Sequence, residues 1–240
     1  MQKFTIFTDG SSLGNPGPGG FGAIICDSEK NKINELGGME KHTTNNRMEI
    51  RAVVEALLYL GNKKGDVLIY IDSAYVLNGI TSWIYGWEKN NWITKDKNEV
   101  LNKDLWQELS LVNKKRLKLG KIKWEKIKGH SGVDGNERAD VIATSFAMMK
   151  PVELYEGKLK DYEEKFEIYF HDIVSKKKPP TKNKKNIGPA YSYLSLIKGK
   201  IYKWKTWAEC EKKVKGVSGV KYKKAKSAEE EKEILKEWGF

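Results

Sequence analysis

Four carboxylates stand where they could do chemistry. Asp9 follows the β-branched and aromatic run KFTIFT, and Asp72 ends the run DVLIYID. Both therefore lie at the carboxyl ends of expected strands, where open α/β sheets bind ligands. Glu49 falls in the first turns of an expected helix, and Asp140 lies on another, ten residues after His130. Three or four oxygen ligands suit Mg2+ or Mn2+, whereas Zn2+ prefers His and Cys. Hydrolysis of a phosphodiester by two ions roughly 3.5–4 Å apart uses several carboxylates to hold both. Without metal, acids packed together repel each other, which destabilises the fold and raises the pKa of a member. Each residue also has a plainer explanation. Asp9 before Gly10 could form a turn. Asp72 could cap the next helix. Glu49, three residues after Asn46, could complete a capping box. Asp140 could pair with a basic neighbour, and His130 could be a surface loop residue. Only the joint arrangement distinguishes the two sets of readings.

The elements that must position these groups can be read from periodicity. KFTIFT, GFGAIIC and KINELGG read as three consecutive strands. TNNRMEIRAVVEALLYL is a helix with a wide apolar stripe that ends at Gly61. DVLIYID is a buried strand followed by a short helix at SAYVLNGI. Residues 82–118 are mostly helical and hold Trp83, Trp87, Trp92 and Trp106. KIKWEKIKGH is a further strand. DGNERADVIATSFAMM is a last helix whose Asp134 and Glu137 have capping-box spacing. This order predicts an α/β fold with a mixed five-stranded sheet, a meander first and crossovers after it, flanked by helices.

At 39% hydrophobic and 32% charged, the chain can build a core while exposing much charge. No apolar run is long enough to span a membrane, and the N-terminus lacks the features of a signal peptide. Cys26 and Cys210 then read as reduced thiols of a cytoplasmic protein. The net charge of +12 is unevenly spread. Residues 191–240 hold 13 Lys against 7 Glu, and residues 171–190 hold 6 Lys against one Asp. Residues 1–170 are near neutral, with 25 basic groups against 24 acids. A basic block at one end favours a polyanion such as nucleic acid, although a solubilising tail has the same composition.

The blocks FTDGSSLGNPGPGGFGAII, TTNNRMEIRAVVEAL, IDSAYVLNGITSWIYGW and KGHSGVDGNERADVIA resemble, in order and spacing, the motifs of type 1 ribonuclease H. The resemblance implies that Asp9, Glu49, Asp72 and Asp140 bind two Mg2+ ions, with Mn2+ an alternative. It implies that His130, in a mobile loop, assists proton transfer or product release. The reaction implied is hydrolysis of the RNA strand of RNA–DNA hybrids, leaving 3′-hydroxyl and 5′-phosphate ends. Asn15, Asn45 and Asn46 would contact the hybrid, which suits an amide's dual hydrogen bonding beside a 2′-hydroxyl. Thr44 would line a pocket for DNA-strand phosphate. The first glycine-rich stretch matches the family's first hairpin. It is no phosphate-binding loop, since no GK[ST] follows. On this reading its Gly and Pro residues turn the chain and let nucleic acid approach. Ala74 departs from the family, where a substrate-contacting glutamine is common. The Trp-rich segment matches a substrate-binding protrusion, but with as many neutral and acidic residues as basic ones, and aromatic packing explains most of its tryptophans.

The stretch from TWAEC to VKGVSGVKYKKAKSAEE resembles the small hybrid-binding module attached to many ribonucleases H, here placed after the catalytic domain. It implies contacts of Trp207 and Tyr222 with deoxyribose and of Lys223 and Lys224 with phosphate; the plainer role for both aromatics is core packing. The expected organisation is a catalytic domain at 1–149, a charged extension and basic linker at 150–189, and a small α/β hybrid-binding domain at 190–240. A linked module would raise local concentration on a hybrid. The expected protein is a monomeric metal-dependent endonuclease whose partner is an RNA–DNA hybrid. One rival is a hybrid-binding protein without catalysis, which would have no need of four repelling acids. The other is a related nuclease acting on DNA, which TTNNRME and the tail argue against.

Overall fold

The structure is a computed structural model that describes residues 2–128, 133–166, 168, 192–197, 199–214, 220–225 and 227–238. It divides into two compact units, Met1–Lys176 and Lys177–Phe240.

In the first unit, β1 (Gln2–Ser12), β2 (Gly17–Asp27) and β3 (Lys32–Thr43) form the expected antiparallel meander. Helix α1 (Asn45–Leu60) then crosses to β4 (Asp66–Ile71), which pairs parallel with β1. Short helices α2 (Ala74–Asn78) and α3 (Ile84–Lys89) are joined by a π-helical turn. They are followed by α4 (Lys103–Leu117), β5 (Ile122–Lys126) parallel to β4, and α5 (Asp134–Ala147). The α/β class and mixed sheet expected from the sequence are present.

Strand alternation assigns the two faces of the sheet. Phe4, Ile6, Ile25 and Ile69 pack with Val53 and Leu57 of α1 and with Trp106 and Leu109 of α4. Phe7, Ile24, Cys26 and Ile33 pack on the other face with Ala139 and Ile142 of α5. Trp106 is fully buried and donates from its indole Nε1 to the Tyr75 hydroxyl at 3.1 Å. Trp87 and Trp92 pack partly buried beside the same core. Trp83 packs on Tyr75 and Trp87 although it is 40% exposed, so aromatic packing engages all four tryptophans.

Three local expectations differ from what is observed. The sheet has six strands, because β6 (Glu156–Lys158) adds antiparallel to the Lys32–Asn34 end of β3. Helix α6 (Leu159–Phe166) follows it. Leu159, Tyr162 and Ile168 are buried in the α5-side core, so position 149 falls inside a compact unit. Finally, Asp134 does not cap α5. Val133 holds that position, and Asp134 and Glu137 sit in the first turn, where negative charge opposes the helix dipole.

The second unit places β7 (Ser192–Ile197) between β8 (Lys200–Trp204) and β9 (Lys221–Ala225). Its helices are α7 (Trp207–Val214) and α8 (Ala228–Glu237). Thr206 and Glu209 form a reciprocal capping box before α7, with bonds of 3.3 and 3.0 Å. Among the described residues Leu194, Ala225 and Ile234 form a buried cluster with Ile201, Leu235 and Trp238 against them, and Cys210 and Val214 of α7 are also buried.

If residues 150–168 are part of the first unit's core, Leu159→Ala should lower the unfolding free energy by ~2–3 kcal/mol, read by urea denaturation. A change under ~0.5 kcal/mol, typical of a surface site, would contradict that placement.

Candidate active site

Register brings the first two carboxylates together. The parallel pairing of β1 with β4 ends at Thr8 opposite Ile71. Asp9 and Asp72 are the next residues on each strand and so stand side by side at the carboxyl edge. Glu49 comes from α1, one turn after the cap. The backbone of Met48 and Glu49 lies directly on Gly10, where a Cβ would overlap it. One carboxylate oxygen from each of Asp9, Glu49 and Asp72 lies within 4.8 Å of the others.

The fourth acid arrives on α5. Gly22 pairs with Asp9 across the hairpin, and a Cβ on Gly22 would overlap the Ala139 carbonyl. The missing side chain lets α5 rest against β2, and Asp140 follows Ala139. Asp140 is close enough for its charge to act on Asp9, and its Oδ1 accepts from the Thr144 hydroxyl at 3.3 Å. Gly10 and Gly22 therefore seat helices against the sheet. The expectation for this stretch, that its Gly and Pro residues turn the chain and admit nucleic acid, did not include this seating role.

The structure also decides the plainer readings. Asp9 lies within a paired strand that continues to Ser12, not in a turn. The cap of α2 is Ser73, whose hydroxyl accepts from Val76 N, and the cap of α1 is Thr44, which accepts from Arg47 N at 3.4 Å. Asp72 and Glu49 thus have no capping duty. Arg138, the nearest basic neighbour of Asp140 in sequence, pairs with Glu35 instead.

Asp9 and Glu49 are only 8% and 7% exposed. Burial, then the charges of Asp72 and Asp140, push the Asp9 carboxyl up to about 8, although the Gly10 N–H donates to its Oδ1 at 2.7 Å. Burial, then Asp9 and Asp72, hold Glu49 well above the usual carboxylate range, against bonds from Asn45 and Gly10. Among the described residues Asp72 Oδ1 is buried with no hydrogen-bond partner, while Oδ2 accepts from Asn136 Nδ2 at 3.4 Å. An all-oxygen donor set with an orphaned buried oxygen and proton-holding acids fits a hard divalent cation.

Asn136 was not anticipated. Its signal is its spacing, since positions 136 and 140 lie one turn apart and share a helix face. Asn45 donates to Glu49 Oε1 at 3.3 Å. Asn15 and Asn46 are exposed at the same end of β1 and α1, and Thr44 is half-buried. His130 lies outside the described residues. In the second unit, Tyr222 is 52% exposed. Alternation puts Tyr222 and Lys224 on one face of β9 and Lys223 on the other, where it pairs with Glu237. Trp207 opens α7, and its side chain lies outside the described residues.

The family model described as RNase H matches residues 1–148. The chain belongs to the ribonuclease H family. A second model, described as ribonuclease H1 N-terminal domain, matches residues 198–233, so that module here follows the ribonuclease H domain. The chain is 52% identical over 143 residues to a ribonuclease H of Bradyrhizobium sp. (strain ORS 278), covering 60% of this chain and 88% of that protein. It is 51% identical over 142 residues to a ribonuclease H of Dechloromonas aromatica (strain RCB), covering 59% and 91%. LC9-RNase H1, a type 1 ribonuclease H, superposes with a TM-score of 0.56 at 26% identity, over 68% of this chain and 82% of that one. A foamy viral protease–reverse transcriptase in complex with RNA/DNA hybrid shares the fold, with a TM-score of 0.53 at 21% identity over 62% of this chain and 20% of that one. Among the described residues no helix is long and apolar enough to cross a membrane. The ribonuclease H assignment makes the chain a ribonuclease, and the acidic cluster is its candidate centre.

The raised carboxyls set a pH dependence. A carboxyl whose pKa is higher in the fold than its ordinary 3.8 binds its proton more tightly when folded. Its stabilising effect is full below about pH 4 and is lost as pH rises towards 8. In EDTA, Asp9→Asn should therefore melt above the parent at pH 8, and the gap should close towards pH 5. Saturating Mg2+ should raise the parent's Tm more than the variant's. Equal gaps at both pH values would contradict the mutual repulsion.

Proposed function

We propose that the protein is an endonuclease that hydrolyses the RNA strand of RNA–DNA hybrids with divalent metal. The convergence of Asp9, Glu49 and Asp72 around an orphaned Asp72 oxygen carries this reading. Asp9, Glu49, Asp72 and Asp140 hold the metal, most simply as two Mg2+ ions, with Mn2+ able to replace them. Held by these four carboxylates, a pair of divalent ions would supply activation of the attacking water and stabilisation of the leaving oxygen, the chemistry that leaves 3′-hydroxyl and 5′-phosphate ends.

The chain's own groups supply the rest. Gly10 N–H and Asn45 Nδ2 orient Asp9 and Glu49, and Asn136 Nδ2 orients Asp72. Asn15, Asn45 and Asn46 present amides for the 2′-hydroxyl edge that tells RNA from DNA. Thr44 takes a DNA-strand phosphate beside its capping role. His130 assists proton transfer or product release.

The catalytic domain spans 1–149 with the packed extension after it. A basic linker runs to 189, and residues 190–240 are a hybrid-binding domain that raises affinity. There Trp207 and Tyr222 pack on deoxyribose while Lys223 and Lys224 neutralise phosphate; Lys223 must leave Glu237 to do so. We place the protein in the cytoplasm as a monomer, in keeping with free buried thiols at Cys26 and Cys210. A binder without catalysis is disfavoured, because burying repelling acids costs stability that binding would not require.

With Mg2+ and an end-labelled hybrid, the parent should cut only the RNA strand and leave duplex DNA and duplex RNA intact. Asp72→Asn should lose more than about 100-fold in rate, beyond the usual cost of an outer-shell change. Tight hybrid binding without cleavage by either protein would sink the proposal.

For the module, Lys224→Ala should weaken hybrid binding and reduce the slope of log affinity against log salt by about 1. Fluorescence anisotropy across a salt series reads both. An unchanged slope would remove Lys224 from the interface.

A further inference from the structure

Helix α5 carries the fourth carboxylate and rests directly on the sheet. At Gly20 and Gly22, side-chain-free positions of β2 face the backbone of α5 at Ala143 and Ala139. Ile142 and Phe146 fill the space beside Gly22, Gly20 and Gly37, so apolar packing already holds the helix on the sheet. Arg138 adds a directional contact to that packing: its Nε and Nη2 donate to the two carboxylate oxygens of Glu35 on β3, at 2.7 and 2.8 Å. The Glu35 side chain is wholly shielded from solvent.

The pair is completed by the segment after α5. Tyr162 OH donates to Glu35 Oε1 at 2.6 Å, and Tyr155 N donates to Glu35 Oε2 at 3.0 Å. The Glu35 backbone N–H in turn donates to the Tyr155 carbonyl at 2.8 Å. Arg138 Nη2 also reaches the Glu153 carbonyl at 3.3 Å, and the guanidinium lies 4.3 Å from the centre of the Phe166 ring. Two of the four bonds to the buried carboxylate thus come from residues 155–162. A bidentate, desolvated and fully hydrogen-bonded pair tolerates little displacement. Arg138 and Asp140 are two residues apart on one rigid helix. Fixing the first on the sheet fixes the second beside Asp9.

We propose that the segment spanning Glu153–Phe166 is a positioning element for the metal site, in which Tyr162 and Tyr155 lock Glu35 onto Arg138 and so hold Asp140 in place. This rests on the reading of Asp140 as a ligand. Tyr162 and Arg138 touch neither substrate nor metal. They act through α5.

The test uses the full chain and four variants: Tyr162→Phe, Arg138→Lys, Asp140→Asn, and Leu109→Ala as a packing control in the opposite core. Mn2+ affinity by calorimetry, metal-free Tm, and kcat and KM on a hybrid are measured for each. Tyr162→Phe and Arg138→Lys should weaken Mn2+ binding by roughly 10-fold or more, as outer-shell changes do, and lower kcat with KM unchanged. Leu109→Ala should lower Tm at least as far while keeping parental Mn2+ affinity. Parental Mn2+ affinity in Tyr162→Phe and Arg138→Lys, with loss in Asp140→Asn, overturns the positioning role alone. Parental affinity in Asp140→Asn overturns the ligand assignment and the positioning role with it.

Discussion

The arrangement depends on one electrostatic constraint: carboxylates that repel one another must be held within a few ångströms, largely out of water. Burial and mutual charge both favour the neutral acids and push the Asp9 and Glu49 carboxyls above their ordinary range. The surrounding fold opposes that repulsion. Parallel pairing of β1 and β4 sets Asp9 beside Asp72 on backbone bonds alone. Gly10 lets α1 bring Glu49 down onto them, and Gly22 lets α5 approach with Asp140. Two apolar cores, one on each face of the sheet, hold the helices there. On the proposed reading, a divalent cation would turn this costly cluster into a favourable one.

Much of this was legible in the residues. The strands before Asp9 and Asp72, the helix bearing Glu49 and the helix bearing Asp140 follow from periodicity and punctuation, because local pattern dictates them. What sets aside the capping and turn readings of these acids is not local. That Thr44 and Ser73 take the caps frees Glu49 and Asp72, and only the backbone shows it. Glycine likewise reads as a turn-former in sequence. At Gly10 and Gly22 its role is the absence of a side chain facing a helix distant in sequence.

The segment after Met149 was illegible for a related reason. Strand β6 is three residues long and pairs with a strand some 120 positions earlier. Tyr162 and Arg138 are polar groups buried by a partner, Glu35, at separations of 127 and 103 residues. Charge and polarity suggest a solvated surface until the partner is known. In the second unit, alternation along β9 separates Lys223 from Tyr222 and Lys224, a distinction that the string KYKKA contains but a residue-by-residue resemblance does not draw.

The central claim is that metal displaces protons that the fold forces onto its own acids. Calorimetric titration with Mn2+ at pH 7, in two buffers of different ionisation enthalpy, measures that displacement directly. The expected result is net proton release on metal binding, with less released from Asp9→Asn. Binding without proton release would show that the acids are already ionised in the free protein and would contradict the repulsion; equal release from the variant would show that Asp9 is not the group that holds the proton.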